Sequence, residues 1–449
     1  LDKFKELVAS VSLIFSIPNI AQTKSFSIQD YLQMVQNTDI FIEENNRKLE
    51  ENKFREDLTL PSSRTLLSFS AEKGLGLENE QDVSSLTSSI EKPFPKSGTS
   101  ITLTQQFNEQ IGIDEETKSI VLEQSILNNA FGNNTRLLAQ IAKLENQINQ
   151  INLEEEKERL FERSILLFLD FLEAHHRAEL RKRFLINASK LKKEIEERKK
   201  EGIADPVDLE RATSEVLQQE TALFEAQADL KLKRKALFQG LSKKNLSTSS
   251  LLPNKESPLF KPNPLETANA KDIFRNTRVF KSISLNEKLF DMKQTISELE
   301  LRPEANLLGG FQQDDSQRFS TESQRKEWLI GVELKIPFGQ DQKRAELDQA
   351  KLANALARIR VIRESRAFRT QYETTVESFK TARKILKNRE KDYKLRNSIL
   401  KREKIRFERG RINLQNLIDA RRALDESRLA LNESKTNFRK TLIQLKSLE

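Results

Sequence analysis

The chain has 449 residues, of which 32% are charged and only 12 are glycine, with a formal net charge of +8. That composition belongs to long helices rather than to a compact α/β enzyme, and the modest positive charge is compatible with nucleic acid or a membrane surface without requiring either. Cysteine is absent, which excludes disulfides, thiolate metal sites and a cysteine nucleophile, and no apolar run reaches the ~18 residues of a membrane-spanning helix.

Lys3 and Lys5 precede the apolar stretch 7–20, so residues 1–21 read as a secretory signal peptide ending at Ala21, or as a short amphipathic lead-in helix. Ser27 is a cap before the apolar positions Ile28, Tyr31, Leu32 and Val35, and the pattern predicts a helix over 26–57, stopped by Pro61. Short runs of period two follow at 65–71, 99–107 and 119–126, the spacing of strands. A long helix is expected over 133–201, then a tight turn and a helix over 205–241. Residues 242–264, rich in Ser, Asn, Lys and Pro, read as a linker. The second half repeats the order: a helix at 266–300, strands at 305–312 and 327–336, a long helix at 341–409 and a last helix at 413–447. At 1.5 Å per residue each long helix would span on the order of 100 Å.

The halves are copies of one another. Gly202 is followed by Leu209, Val216, Leu223, Leu230 and Leu237, seven apart; Gly410 is followed by Leu417, Leu424, Leu431, Phe438 and Leu445 at the same spacing, 208 positions further on. A seven-residue apolar period marks helices that pack along a seam, and a glycine before each run marks a left-handed helix end. Each half therefore contains a helical hairpin, and the chain divides into repeats at 26–241 and 265–449.

The strand Trp328–Ile336 places Trp328, Ile330, Val332, Leu334 and Ile336 on one face and Gly331, Glu333 and Lys335 on the other. Such alternation over about nine residues suits a transmembrane barrel strand, or a half-buried strand of a soluble sheet. Very long helices leave no soluble sandwich for so few strands. About four strands cannot close a barrel alone, which needs about eight, so copies would pool them in a closed symmetric oligomer.

At this point the sequence resembles the TolC-type outer membrane efflux proteins. The matching features are the duplicated order of helix, strands, long helix and hairpin; Arg302-Pro303-Glu304-Ala305-Asn306-Leu307 at a strand start; the turn Leu334-Lys335-Ile336-Pro337-Phe338-Gly339 and its counterpart over 124–132; and the apex pattern at Gly202, Asp208 and Ala212 and again at Gly410, Asn416 and Ala420. The resemblance implies a mainly α fold with transmembrane β structure. Duplicated helical hairpins would form a periplasmic α-barrel, and four strands from each protomer of a homotrimer would form a twelve-stranded barrel in outer membrane lipid. It further implies a passive conduit for small molecules or secreted proteins, served by a periplasmic adaptor and an inner-membrane pump, with no catalytic site, cofactor or metal. A hairpin over 86–94 and 99–107 is extra to that pattern, and would either extend the barrel or cap it.

The family rings its closed periplasmic end with carboxylates at two positions that correspond here to Asn416 and Asp419. Gly202, Ile203, Ala204, Asp205, Asp208, Gly410, Ile412 and Leu414 at the apices are candidates for adaptor docking, as exposed apolar residues at a helix tip suggest a partner. Residues 181–200 carry nine Lys/Arg against three Glu, and 383–411 thirteen Lys/Arg against four Asp/Glu, a basic collar that could steer an acidic partner. His175 and His176 are the only histidines, and adjacent helix positions point apart. Nucleotide-loop and hydrolase motifs are absent. Two other readings stay open on the residues alone: a soluble coiled-coil scaffold and a basic coiled coil that binds nucleic acid, although the leader and the Trp328 strand speak against both.

Overall fold

The computed structural model describes residues 25–74, 83–110, 113–241, 252–253, 270–318 and 321–448. The expected leader at 1–21 and nearly all of the linker at 242–264 lie outside them. In chain order the elements are β1 (Ser25–Phe26), α1 (Ile28–Thr38), α2 (Ile40–Asn52), α3 (Arg55–Thr59), β2 (Leu66–Gly74), β3 (Val83–Phe94), β4 (Thr99–Gln110), β5 (Ile113–Ser125), α4 (Asn133–Lys200) and α5 (Pro206–Phe238). The second half continues with β6 (Leu252–Pro253), α6 (Ala270–Asn276), α7 (Arg278–Glu300), β7 (Glu304–Arg318), β8 (Thr321–Lys335), α8 (Asp341–Glu408) and α9 (Leu414–Leu448). The long helices α4 and α8 have 68 residues each. No described helix is long and apolar enough to cross a membrane.

The chain forms two compact units. The first contains the segment up to Lys48, Leu153–Thr277 and the chain from Ser365 on. Ser27 caps α1 as expected: its hydroxyl accepts the Asp30 amide at 3.2 Å and its own amide donates to the Asp30 carboxylate at 2.9 Å. The single helix expected over 26–57 is instead three. Asp39 stops α1 with an extended backbone and, through its carboxylate, accepts the Phe41 amide at 2.9 Å to start α2. This double use of one residue, by its backbone and then by its carboxylate, carries no periodicity signal. The helix expected over 266–300 is likewise divided, at Thr277, whose hydroxyl turns back to the Phe274 carbonyl at 2.7 Å. Two residues of the expected linker are strand: Leu252–Pro253 pairs in parallel with Ser25–Phe26.

Three apolar clusters hold this unit. Ile28, Tyr31 and Val35 pack on Phe168, Leu172, Leu237 and Ile443. The Tyr31 hydroxyl donates to the Leu237 carbonyl at 2.9 Å, and burial pushes its pKa up to about 12. Tyr372 and Phe379 pack on Leu442 and Leu445. The third cluster lies at the hairpin turns and is described below.

The second unit contains Leu49–Asn152 and Arg278–Glu364. Its helical part is held by Ile141 and Ile148 of α4 against Leu289 and Ile296 of α7, with Lys293 and Glu145 paired at 2.7 Å. Its sheet is antiparallel throughout, in the order β2-β3-β4-β5-β7-β8. Six strands stand where about four were expected: the extra hairpin joins the sheet between β2 and β5. Ile336, expected to end the last strand, falls just beyond it and is exposed.

Candidate functional site

Register places one side chain from every strand of the sheet in a row. Leu67, Ile90, Leu103, Ile120, Phe311 and Trp328 are successive cross-strand partners. The neighbouring row, one residue along, is Ser68, Ser89, Thr104, Ser119, Gln312 and Glu327. Because successive side chains point to opposite faces, the first row lies on one face and the second on the other. At this level one face is apolar across all six strands and the other is polar across all six; further along the strands the faces are mixed, with Lys118, Gln313 and Lys326 on the apolar side and Val121 and Leu329 on the polar side. Within the polar row the Ser68 and Ser89 hydroxyls bond at 2.6 Å, which satisfies them without a covering layer.

The apolar face is bare. Trp328 is 81% exposed and Ile330 87%, and Val332, Leu334, Leu67 and Phe69 on the same face are exposed too. Phe311 and Trp328 meet edge to face with ring centroids 5.4 Å apart. The expected apolar grouping of Trp328, Ile330, Val332 and Leu334 is thus present, and it continues across five more strands. The alternation within 86–94 carried this signal, although its serines and threonines weaken the apolar period that marks a strand.

The hairpin tips of the first unit are built twice by the same bonds. Gly202 has φ +72° and Gly410 φ +68°, a backbone that favours glycine. The Ile203 amide donates to the Arg198 carbonyl and the Arg411 amide to the Arg406 carbonyl, both at 2.8 Å. The glycine amides donate to Lys199 and Phe407 at 3.0 and 2.9 Å. Paired bonds of this kind close a helix C-terminus. The next helix is then capped by Asp205, which accepts the Val207 amide at 3.0 Å, and by its counterpart Asn413, which accepts the Asn416 amide at 3.0 Å. Pro206 occupies the first turn of α5.

The two tips pack together. Leu191, Ile195 and Ala212 cluster with Phe407, Leu414, Leu417 and Ile418, and the Arg198 guanidinium lies 4.6 Å from the Phe407 ring centre. This corrects part of the docking expectation: Leu414 is 1% exposed, and Ile412 and Ala204 pack against the same cluster, because these apolar side chains join the two hairpins. The exposed part of the set is Gly202, Ile203, Asp205 and Gly410, with Ile203 at 70%. Asp208 is half-buried and 3.6 Å from Arg211. Asn416 and Asp419 are both exposed, and Gln415 donates to Asp419 at 2.8 Å.

Behind the tips lies a charged group that sequence patterns did not single out. Glu215 of α5, whose side chain is only 7% exposed, pairs with Arg422 of α9 at 2.5 Å. Arg422 also donates to Gln218 at 2.7 Å, and Gln219 to Glu215 at 2.8 Å. Arg421 donates to the Asn187 carbonyl of α4 at 3.1 Å. Burial pushes the Asp425 carboxyl up to about 7, against the pull of Arg421, and burial lowers the pKa of Arg421. A heptad pattern marks apolar seams and is silent about a carboxylate and a guanidinium 207 positions apart. Among the described residues no group of His, Cys, Asp and Glu could hold a metal ion.

No family model matches the sequence, and no curated protein matches it either. Solved structures do. CusC aligns with a TM-score of 0.72 at 12% identity, over 96% of this chain and 95% of that one; that structure is described as reviewing conformational changes in folding and transmembrane channel formation. The outer membrane protein VceC of Vibrio cholerae aligns with 0.71 at 12% identity, over 94% and 95%. The CmeC outer membrane channel of Campylobacter jejuni aligns with 0.71 at 13%, over 98% and 90%. At such identities the match establishes the fold. The chain has the long-helix and antiparallel-sheet fold of these outer membrane proteins, the one that the resemblance to TolC-type proteins implied.

Proposed function

We propose that the chain is the subunit of an outer membrane channel that passively conducts small molecules or secreted proteins from periplasm to exterior. The observation that carries this reading is the pair of adjacent rows in the sheet, one wholly apolar and exposed at every position but the half-buried Phe311, the other wholly polar. A face of that kind fits lipid outside and water inside, and a sheet edge in lipid must be paired. The shared fold supports the same reading. The sheet argues against a soluble scaffold or a nucleic-acid binder, for which a bare apolar face of this extent would be an aggregation hazard.

In this reading three copies assemble, their sheets lie in the outer membrane and their hairpins extend into the periplasm. The exposed tip residues Gly202, Ile203, Asp205 and Gly410 meet a periplasmic adaptor, with the basic stretches before each tip steering its approach. An inner-membrane pump supplies the energy, and the chain itself performs no catalysis. Asp419 provides a ring of three carboxylates at the periplasmic end, with Asn416 one turn away as a neutral ring. The test is conductance in a planar lipid bilayer. Purified protein is expected to give discrete cation-preferring channels, and Asp419→Ala to lower that preference. Protein that stays water-soluble, never inserts and passes no current would refute the reading.

A further inference from the structure

Six strands per copy change the size of the membrane pore. Resting on the channel reading above, we propose that the wall contains eighteen strands, six from each of three copies, with β8 of one copy paired to β2 of the next. The added hairpin is wall and not cap for two reasons. The apolar row runs through it at Ile90 and Leu103 without a break, and the polar row through Ser89 and Thr104. A segment folded outside the membrane would need no such continuity.

The second reason is its anchor. The turn between β3 and β4 is seated on the junction between β5 and α4. A side chain on Gly98 would meet the Gly132 amide nitrogen at 2.7 Å, and one on Gly132 the Lys96 carbonyl oxygen at 2.2 Å. Both glycines have positive φ. Arg136 of α4 donates to the Lys96 carbonyl at 3.1 Å. The hairpin is thereby held at the same level as the strand ends that lead into the helices.

Closure follows from the edges. Among the described residues β2 and β8 each have one unpaired side, and in lipid such an edge must find a partner. Six strands are too few to close on themselves. The number is even and every pair is antiparallel, so β2 and β8 run in opposite directions. A second copy's β2 therefore continues the alternation beside β8, in a head-to-tail contact that closes into a ring. With strands about 4.8 Å apart and tilted about 40°, a twelve-stranded wall has a radius of about 12 Å and an eighteen-stranded one about 18 Å. Side chains reaching about 5 Å inward leave a bore of roughly 26 Å instead of 14 Å.

The natural absence of cysteine makes the test direct. Ser70→Cys on β2 is combined in turn with Glu327→Cys, Leu329→Cys, Gly331→Cys and Glu333→Cys, all on the polar face of β8. Thr104→Cys on β4 is combined with the same four as the comparison set. Oxidised membranes should show dimers and trimers on a non-reducing gel for at least one Ser70 pair and for none of the Thr104 pairs. Crosslinks from Thr104, or none from Ser70, overturn the proposal. Imaging of the unmodified protein in lipid nanodiscs gives an independent count, with eighteen strands expected and twelve overturning it. A conducting pore of twelve strands would refute the wider wall and leave the channel reading standing; protein that neither inserts nor conducts would refute both.

Discussion

Asp425 should make the helical unit less stable as pH rises from about 4 toward neutrality. It is half-buried on α9, with Arg421 and Arg428 on its own helix, Glu215 on α5 and Arg181 on α4 acting on it. Burial raises its pKa from 3.8 to about 7, Glu215 adds to the rise, and the three arginines oppose it. The folded chain therefore takes up a proton that the unfolded chain releases between these values. Its contribution is fully present below about pH 4 and is lost as pH rises to about 7. The whole shift of about three pH units corresponds to about 4 kcal/mol; solvent at the half-exposed carboxyl brings the expectation to about 2 kcal/mol. Asp425→Asn keeps the shape and stays neutral. Guanidinium unfolding followed by helical circular dichroism, at fixed protein concentration and several pH values, should show the wild type losing about 2 kcal/mol relative to the variant between pH 4.5 and 8. Glu162 and Glu173, also raised by burial, are present in both proteins and cancel in the comparison. Parallel stability curves for the two proteins would refute the reasoning.

Arg422→Ala should destabilise the same unit by about 3 kcal/mol, since it strands the buried Glu215 carboxylate with only Gln219 as donor; a shift of the unfolding midpoint at pH 7.5 measures it. Ile330→Arg, on the bare apolar face, should cost about 2–4 kcal/mol of membrane insertion and abolish the heat-modifiable band of the folded protein on a gel. Gln312→Arg, on the opposite face, should insert normally and shift the current toward anions. Gly410→Ala meets no neighbouring atom, yet its φ of +68° should cost about 1 kcal/mol, read as a lower midpoint with the circular dichroism spectrum unchanged.

Much of the architecture is written locally. A seven-residue apolar period needs only the geometry of the helix to predict a packed seam, and Leu209, Leu237, Leu417 and Leu445 are each buried or half-buried. A glycine before each run needs only the energetics of left-handed backbone to predict a turn, and Gly202 and Gly410 adopt it. Period two over 328–334 requires one bare and one facing side, and that alternation is present. These features are legible because each depends on residues within a few positions of one another.

The rest depends on residues far apart in the chain. Ile120 and Phe311 become partners only when β5 pairs with β7, so an apolar row across six strands cannot be seen from any one of them. Leu414 looks like an exposed tip residue until Leu191 and Ile195 cover it. Glu215 is an ordinary helix carboxylate until Arg422 arrives from another helix and both leave water. Periodicity specifies which face of an element is apolar; what that face meets, and what a buried charge is worth, are decided by the long-range pairing that sets local solvent exposure.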